Sequence, residues 1–168
     1  NFLILGTSDE YGWSGIRYKF IPTDAPLEPI SNYAASKAAL FQLLHGFAIE
    51  KHIKLIYVRI FSTFGIGQHE KNLWPSMRVT ALSGGDYYLS PGERVRAFTT
   101  VEEVAKQLVK LLDFSNVETG IRLIIHIGSG KSQTIKDFAE YWWKEWKATG
   151  KLHFGAKPYR KNEVMRYV

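Results

Sequence analysis

The sequence predicts an α/β fold built on a parallel sheet, and three observations predict it. Short apolar runs recur at Phe2–Leu5, Leu55–Ile60 and Leu123–Ile127, each of strand length rather than helix length. Stretches with apolar residues at helical spacing lie between and after them, and alternation of this kind is how a helix-covered parallel sheet is encoded. The chain has 168 residues, 45% of them hydrophobic, which suits one ordinary domain with a real core. Strands near residues 2–6, 54–60 and 122–127 are therefore expected side by side in one parallel sheet.

The elements follow in order. Phe2–Leu5 is a buried strand, and a polar loop containing glycine and proline runs from it through Pro29. Ala34–Lys51 is a helix, rich in Ala and Leu, with Leu40, Leu43, Leu44 and Phe47 as its expected apolar stripe. Leu55–Ile60 is a β-branched strand, and Val101, Val104, Ala105, Leu108 and Leu112 mark a second amphipathic helix. Leu123–Ile127 is a third strand, closed by Gly128. Thr134 caps a further helix, with Asp137 near its positive end. Ile135, Phe138, Trp142 and Trp146 share one side of that helix, and the expected role of this face is core packing. Tyr87–Leu89, Val95–Phe98 and Leu152–Phe154 are shorter and are assigned to an appended subdomain. There is no internal repeat and no flexible linker.

Composition excludes several classes. Without cysteine there is no disulfide scaffold, thiolate nucleophile or Cys-ligated metal, and the five histidines include no pair at helical ligand spacing, so no metal site is expected. No apolar run approaches the roughly 18 residues of a spanning helix. No charged-then-apolar leader opens the chain either, so the expected location is cytoplasmic, with no membrane partner. The net charge of +6 comes from 22 Lys and Arg against 16 Asp and Glu. These are scattered rather than gathered in a stripe, which argues against nucleic acid and suits a phosphorylated small molecule. Gly128-Ser129-Gly130-Lys131-Ser132 invites a phosphate-loop reading, but Ile125 stands where the first glycine is needed. A Gly-x-Ser-x-Gly elbow is missing, and so is a Gly-x-Gly-x-x-Gly dinucleotide turn. The chain opens in mid-strand without Met and stops without a closing helix, so a piece of a longer protein is expected.

One motif carries chemistry. In Ser31-Asn32-Tyr33-Ala34-Ala35-Ser36-Lys37, Tyr33 and Lys37 stand four residues apart at the start of a helix, hence on one face. A free phenol, with a pKa near about 10, is a poor base at neutral pH. A neighbouring ammonium favours the phenolate and so fits Tyr33 for exchanging a proton with a hydroxyl or ketone oxygen. Around it, in order, stand Thr7…Tyr11-Gly12, the Tyr33/Lys37 pair, Arg59-x-Phe61-x-x-x-Gly65-x-Gly67, Arg96-x-Phe98-x-x-Val101-x-x-Val104-Ala105 and Ile127-Gly128-Ser129-Gly130. In these five elements, which cover nearly the whole chain, the sequence resembles the extended short-chain dehydrogenase/reductases of the NAD-dependent epimerase/dehydratase family, which act on nucleotide sugars. Residues 154–165 resemble members near CDP-abequose synthase and related sugar reductases.

The resemblance implies a partial Rossmann-like parallel sheet. Residues 1–60, with the strand and helix near 122–147, would be half of the NAD(P)-binding domain. Residues 61–121 and 148–168 would form a nucleotide-sugar-binding subdomain. It implies Tyr33 as the proton-transfer residue, with Lys37 binding the nicotinamide ribose of NAD or NADP and lowering the tyrosine's pKa. Thr7 would hydrogen-bond the reacting sugar oxygen, and Asp9 would join if the enzyme dehydrates. A one-residue slip would instead make Ser8 the hydroxyl and Asp9-Glu10 the acid pair. Arg96 and Arg160 would contact the diphosphate of a nucleotide-diphosphate sugar, and Ser62 would stand at a sugar-contacting position where Asn is common. A homodimer is implied for the full-length protein. Ala97 replaces the acid that usually follows the matched arginine, and Ile66 a usual Pro; the missing glycine-rich half, with Ala97 and Ser62, leaves a non-catalytic binding or scaffolding relative, or an inactive fragment, as the competing class.

Overall fold

The computed structural model describes all of residues 1–168. The expected sheet is present. β1 (Phe2–Thr7), β2 (Leu55–Ile60) and a third strand, Arg122–Ile127, are parallel in the order first, second, third, with Thr7 level with Ile60 and Ile60 level with Ile127. The carboxyl ends of all three thus finish together, which is where ligand sites form in open α/β sheets.

Between these strands lie α1 (Asn32–Glu50), β3 (Thr63–Phe64), α2 (Leu73–Leu82), β4 (Tyr87–Tyr88), β5 (Val95–Arg96), β6 (Thr99–Thr100) and α3 (Val101–Lys110). Arg122–Ile127 is therefore β7, followed by β8 (Gln133–Thr134), α4 (Ile135–Glu145), β9 (Leu152–His153) and β10 (Arg166–Tyr167). The helix starts follow from their caps: Ser31, Thr100 and Thr134 each accept a hydrogen bond from the backbone N–H three residues on.

β2 is buried on both faces. Ile56 and Val58 meet Val104, Val117 and Ile127 in one cluster, with Leu108 and Leu111 packed against it. Tyr57 and Arg59 face the other way, toward Phe41 of α1. Helices on both faces are what a parallel sheet requires. β1 lies at the sheet edge, with Phe2 and Leu5 each 41% exposed.

Three expectations are corrected by the packing. The buried face of α1 is Ala34, Ala38, Phe41 and Ala48, whereas Leu43 is 70% exposed and Phe47 also faces out. Small alanines let the helix lie close on the sheet, and apolar residues on several sides of α1 hid which side that was. Residues 101–117, inside the stretch assigned to the appended part, supply α3 and Val117 to the cover of the main sheet. Conversely, α4 packs on α2 rather than the main sheet, Ile135, Ala139 and Trp143 meeting Met77, Ala81 and Leu89. The packing role expected for Trp142 and Trp146 holds, though both are only partly buried: they meet each other and Trp74 of α2 with ring centroids 5.4–5.6 Å apart.

Smaller sheets join the rest. β5 lies between β10, parallel, and β8, antiparallel, while β4 pairs with β9. The segment after β1 makes two short 3-10 turns that meet at Gly12, whose φ of 50° and close approach to the backbone of Glu28 leave no room for a side chain. No helix is long and apolar enough to cross a membrane.

Candidate active site

Thr7 ends β1 and caps the turn that follows. Its Oγ1 accepts from the Asp9 N–H at 3.3 Å, and Glu10 returns the bond by accepting from the Thr7 N–H at 2.9 Å. The Thr7 hydroxyl proton is left free to donate. Tyr33 lies in the first turn of α1, 56% exposed, and Lys37 one turn later sends its Nζ to the carbonyl of Leu5 at 3.2 Å. The helix carrying the phenol is thereby tied to the strand carrying Thr7.

Asp9, Arg96 and Arg160 come together beside the start of α1. They line a cavity of about 320 Å³ with Ser31, Ala34, Asn162, Glu163 and Tyr167. A second cavity of about 440 Å³ shares Asp9 and Arg96 and adds Ser62, Arg94 and the rings of Phe64, Trp74, Phe98 and Phe138. Burial raises the Asp9 carboxyl above its ordinary range; nearby Arg96 opposes the shift, while Glu163 and Glu10 add to it. Thr7, Tyr33 and Lys37 stand outside the walls of these two cavities.

The two arginines differ. Arg96 is buried and already engaged, Nη1 donating to Val95 O and Nη2 to Val164 O at 2.8 Å, with Glu163 at 3.7 Å. Arg160 is exposed and borders both the first cavity and a third of about 350 Å³. Glu163 also pairs with Arg94 at 2.8 Å. Of the residues in the slipped alignment, Ser8 and Glu10 are buried while Asp9 borders the cavities. Ala97 is buried among Tyr11, Phe61 and Val168, so the absent acid belongs to a core position here.

Beneath the Thr7 turn lies a polar network that sequence reasoning missed. Arg59 Nε donates to Glu10 Oε2 at 2.8 Å with both side chains essentially inaccessible, and Arg59 Nη1 donates to the Tyr11 hydroxyl at 2.9 Å. The guanidinium also sits over the rings of Phe41 and Tyr11, 4.4 and 4.7 Å from their centroids. Tyr11 and His126 Nε2 are 2.6 Å apart. Burial first, and the Arg59 charge second, lower the His126 pKa from 6.5 to about 4. The unfolded chain then binds a proton that the folded chain refuses. The His126 contribution to stability is expected to be whole above pH 6.5 and to drain as pH falls through about 4. Acid unfolding of His126→Gln should accordingly show a shallower loss across that window than wild type.

Comparisons with known proteins bear on the fold and the family. The NAD-dependent epimerase/dehydratase family model matches residues 1–128. Among solved structures, the chain is similar to a UDP-N-acetylglucosamine 4-epimerase from Methanobrevibacter ruminantium, with 23% identity and a TM-score of 0.86 over 99% of this chain and 52% of that one. A UDP-glucose 4-epimerase from Thermotoga maritima gives 19% identity and a TM-score of 0.88, over 99% and 53%. A dTDP-glucose 4,6-dehydratase from Streptomyces venezuelae, solved with NAD, gives 24% and 0.81, over 98% and 49%. No curated protein matches the chain in sequence. The chain spans about half the length of these structures. With the family model covering most of its residues, the chain belongs to the NAD-dependent epimerase/dehydratase family.

Proposed function

We propose that this chain is the proton-transfer and sugar-binding part of an enzyme that uses NAD to act on a nucleotide-diphosphate sugar, as an epimerase, dehydratase or 4-keto reductase. The observation that carries the reading is the Lys37–Leu5 bond, which ties the Tyr33/Lys37 turn of α1 to the strand end that presents Thr7. The donor set fits a dinucleotide's ribose: the Tyr33 phenol is open, and the Lys37 ammonium has N–H groups beyond the one given to Leu5. When bound, the nicotinamide supplies hydride acceptance and return. Tyr33 takes the proton of a sugar hydroxyl as the carbon is oxidised, and the Thr7 hydroxyl donates to the same oxygen.

Among the three reactions, Asp9 favours dehydration. A carboxyl at the wall of a polar cavity, its pKa raised by burial, is placed to exchange a proton with a leaving hydroxyl. The short strands near Arg96 and Arg160 would serve as the substrate subdomain, with a diphosphate met chiefly by the exposed Arg160. For the whole protein we propose a homodimer, supported by the outward apolar side chains Leu43, Phe47 and Ile49 of α1.

The test is a product assay. The whole protein, given NAD and a panel of UDP- and dTDP-hexoses, is expected to yield a 4-keto-6-deoxy sugar by NMR; an epimer or a reduced sugar would move the assignment within the family, and no conversion would refute it. Arg160→Ala should raise KM for the accepted sugar about tenfold or more with kcat little changed, the loss of one charge-assisted phosphate contact.

A further inference from the structure

We propose that Tyr57 is a positioning residue whose single hydroxyl holds the Thr7 turn and the Tyr33/Lys37 helix in register, a proposal that rests on the roles given to those residues above. Tyr57 is wholly inaccessible at the centre of β2. Its hydroxyl lies 2.9 Å from Glu10 Oε1 and 3.1 Å from the backbone carbonyl of Lys37, so one proton is shared between two acceptors. Glu10 Oε1 is the same atom that accepts the Thr7 N–H at 2.9 Å. Between Thr7 and Lys37 there are therefore only the Glu10 carboxylate and the Tyr57 phenol.

The surroundings fix that phenol. Its ring meets Phe41 of α1 edge-on, 4.7 Å between centroids. Across from it, Gly6 of β1 leaves the space in which the two polar groups meet: a Cβ there would lie 2.4 Å from both Glu10 Oε1 and the Tyr57 ring. A residue larger than glycine would push apart the groups that join strand to helix. Burial and the Glu10 carboxylate also drive the Tyr57 pKa far above its ordinary value, so the hydroxyl stays a donor at working pH.

Arg59 and the Lys37–Leu5 bond hold the same parts from other sides, which makes the role of Tyr57 one of alignment rather than of folding. Tyr57→Phe keeps the ring and its packing and removes one oxygen. In the whole protein we expect kcat to fall about tenfold or more, because small displacements of reacting groups are expensive, while KM for the nucleotide sugar stays within about twofold. Amide hydrogen exchange should quicken both at residues 7–11 and at residues 33–38, a readout independent of turnover. A kcat within twofold of wild type, or exchange unchanged in both segments, would overturn the proposal. Tyr33→Phe run beside it separates the two readings. If that variant turns over normally, the assignment of the reaction fails; if it is inactive while Tyr57→Phe is normal, only the positioning role fails.

Discussion

Tyr33→Phe in the whole protein should lower kcat about a thousandfold, within the range that a positioned acid or base contributes, and leave KM for the nucleotide sugar nearly unchanged. The phenol is 56% exposed at the first turn of α1 and makes no bond that holds the fold, so its loss should not alter stability. An equal fall in kcat and kcat/KM is the signature of an interaction made only in the transition state. Lys37→Met should follow it in kcat but also unfasten α1 from β1, since the same ammonium bonds Leu5 O. Loss of binding without loss of kcat in Tyr33→Phe would remove this tyrosine from the chemistry and leave it as a surface contact. Turnover would be followed by product NMR, and stability by denaturant titration of the same preparations.

What could be read in advance follows from how local each signal was. The three main strands were legible because each is an apolar run of strand length with polar or glycine-containing flanks, and the start of α4 because Thr134 is a cap; the Ser31 and Thr100 caps emerged only with the structure. The helix at Leu73–Leu82 was not, since Pro75 reads as a breaker unless it is known to lie in a first turn, where its missing N–H is no loss. The order of motifs singled out Thr7, Asp9, Tyr33, Lys37 and Arg96, but could not say that Arg96 would be engaged by Val95 and Val164 carbonyls. One warning did stand in the sequence. Arg59 lies within Leu55–Ile60, a strand short and apolar enough to be buried, and a buried guanidinium demands an anion. Which anion was beyond local reasoning, because Glu10 is 49 residues away in the chain.

That pair is where the largest stability change is expected. Arg59→Met should destabilise the protein by about 3–5 kcal/mol, the usual cost of removing one partner of a buried ion pair. The Glu10 carboxylate, fully inaccessible, would keep its bonds from Thr7 N–H and Tyr57 but lose its counter-charge. Tyr11 would lose a donor to its hydroxyl, and the rings of Phe41 and Tyr11 would lose the cation above them. Adding Glu10→Gln to Arg59→Met should restore part of the loss. The amide oxygen can still accept from Thr7 and Tyr57, and the unpaired charge is gone. The double variant should therefore be more stable than Arg59→Met alone, the non-additivity expected of two side chains coupled in one ion-paired network. Denaturant midpoints for wild type, both single variants and the double variant measure it. Additive losses would mean that the pair is not coupled as the 2.8 Å contact implies. A double variant with restored stability but low kcat would separate the two tasks of Glu10, holding the fold through Arg59 and aligning Thr7 through its carboxylate.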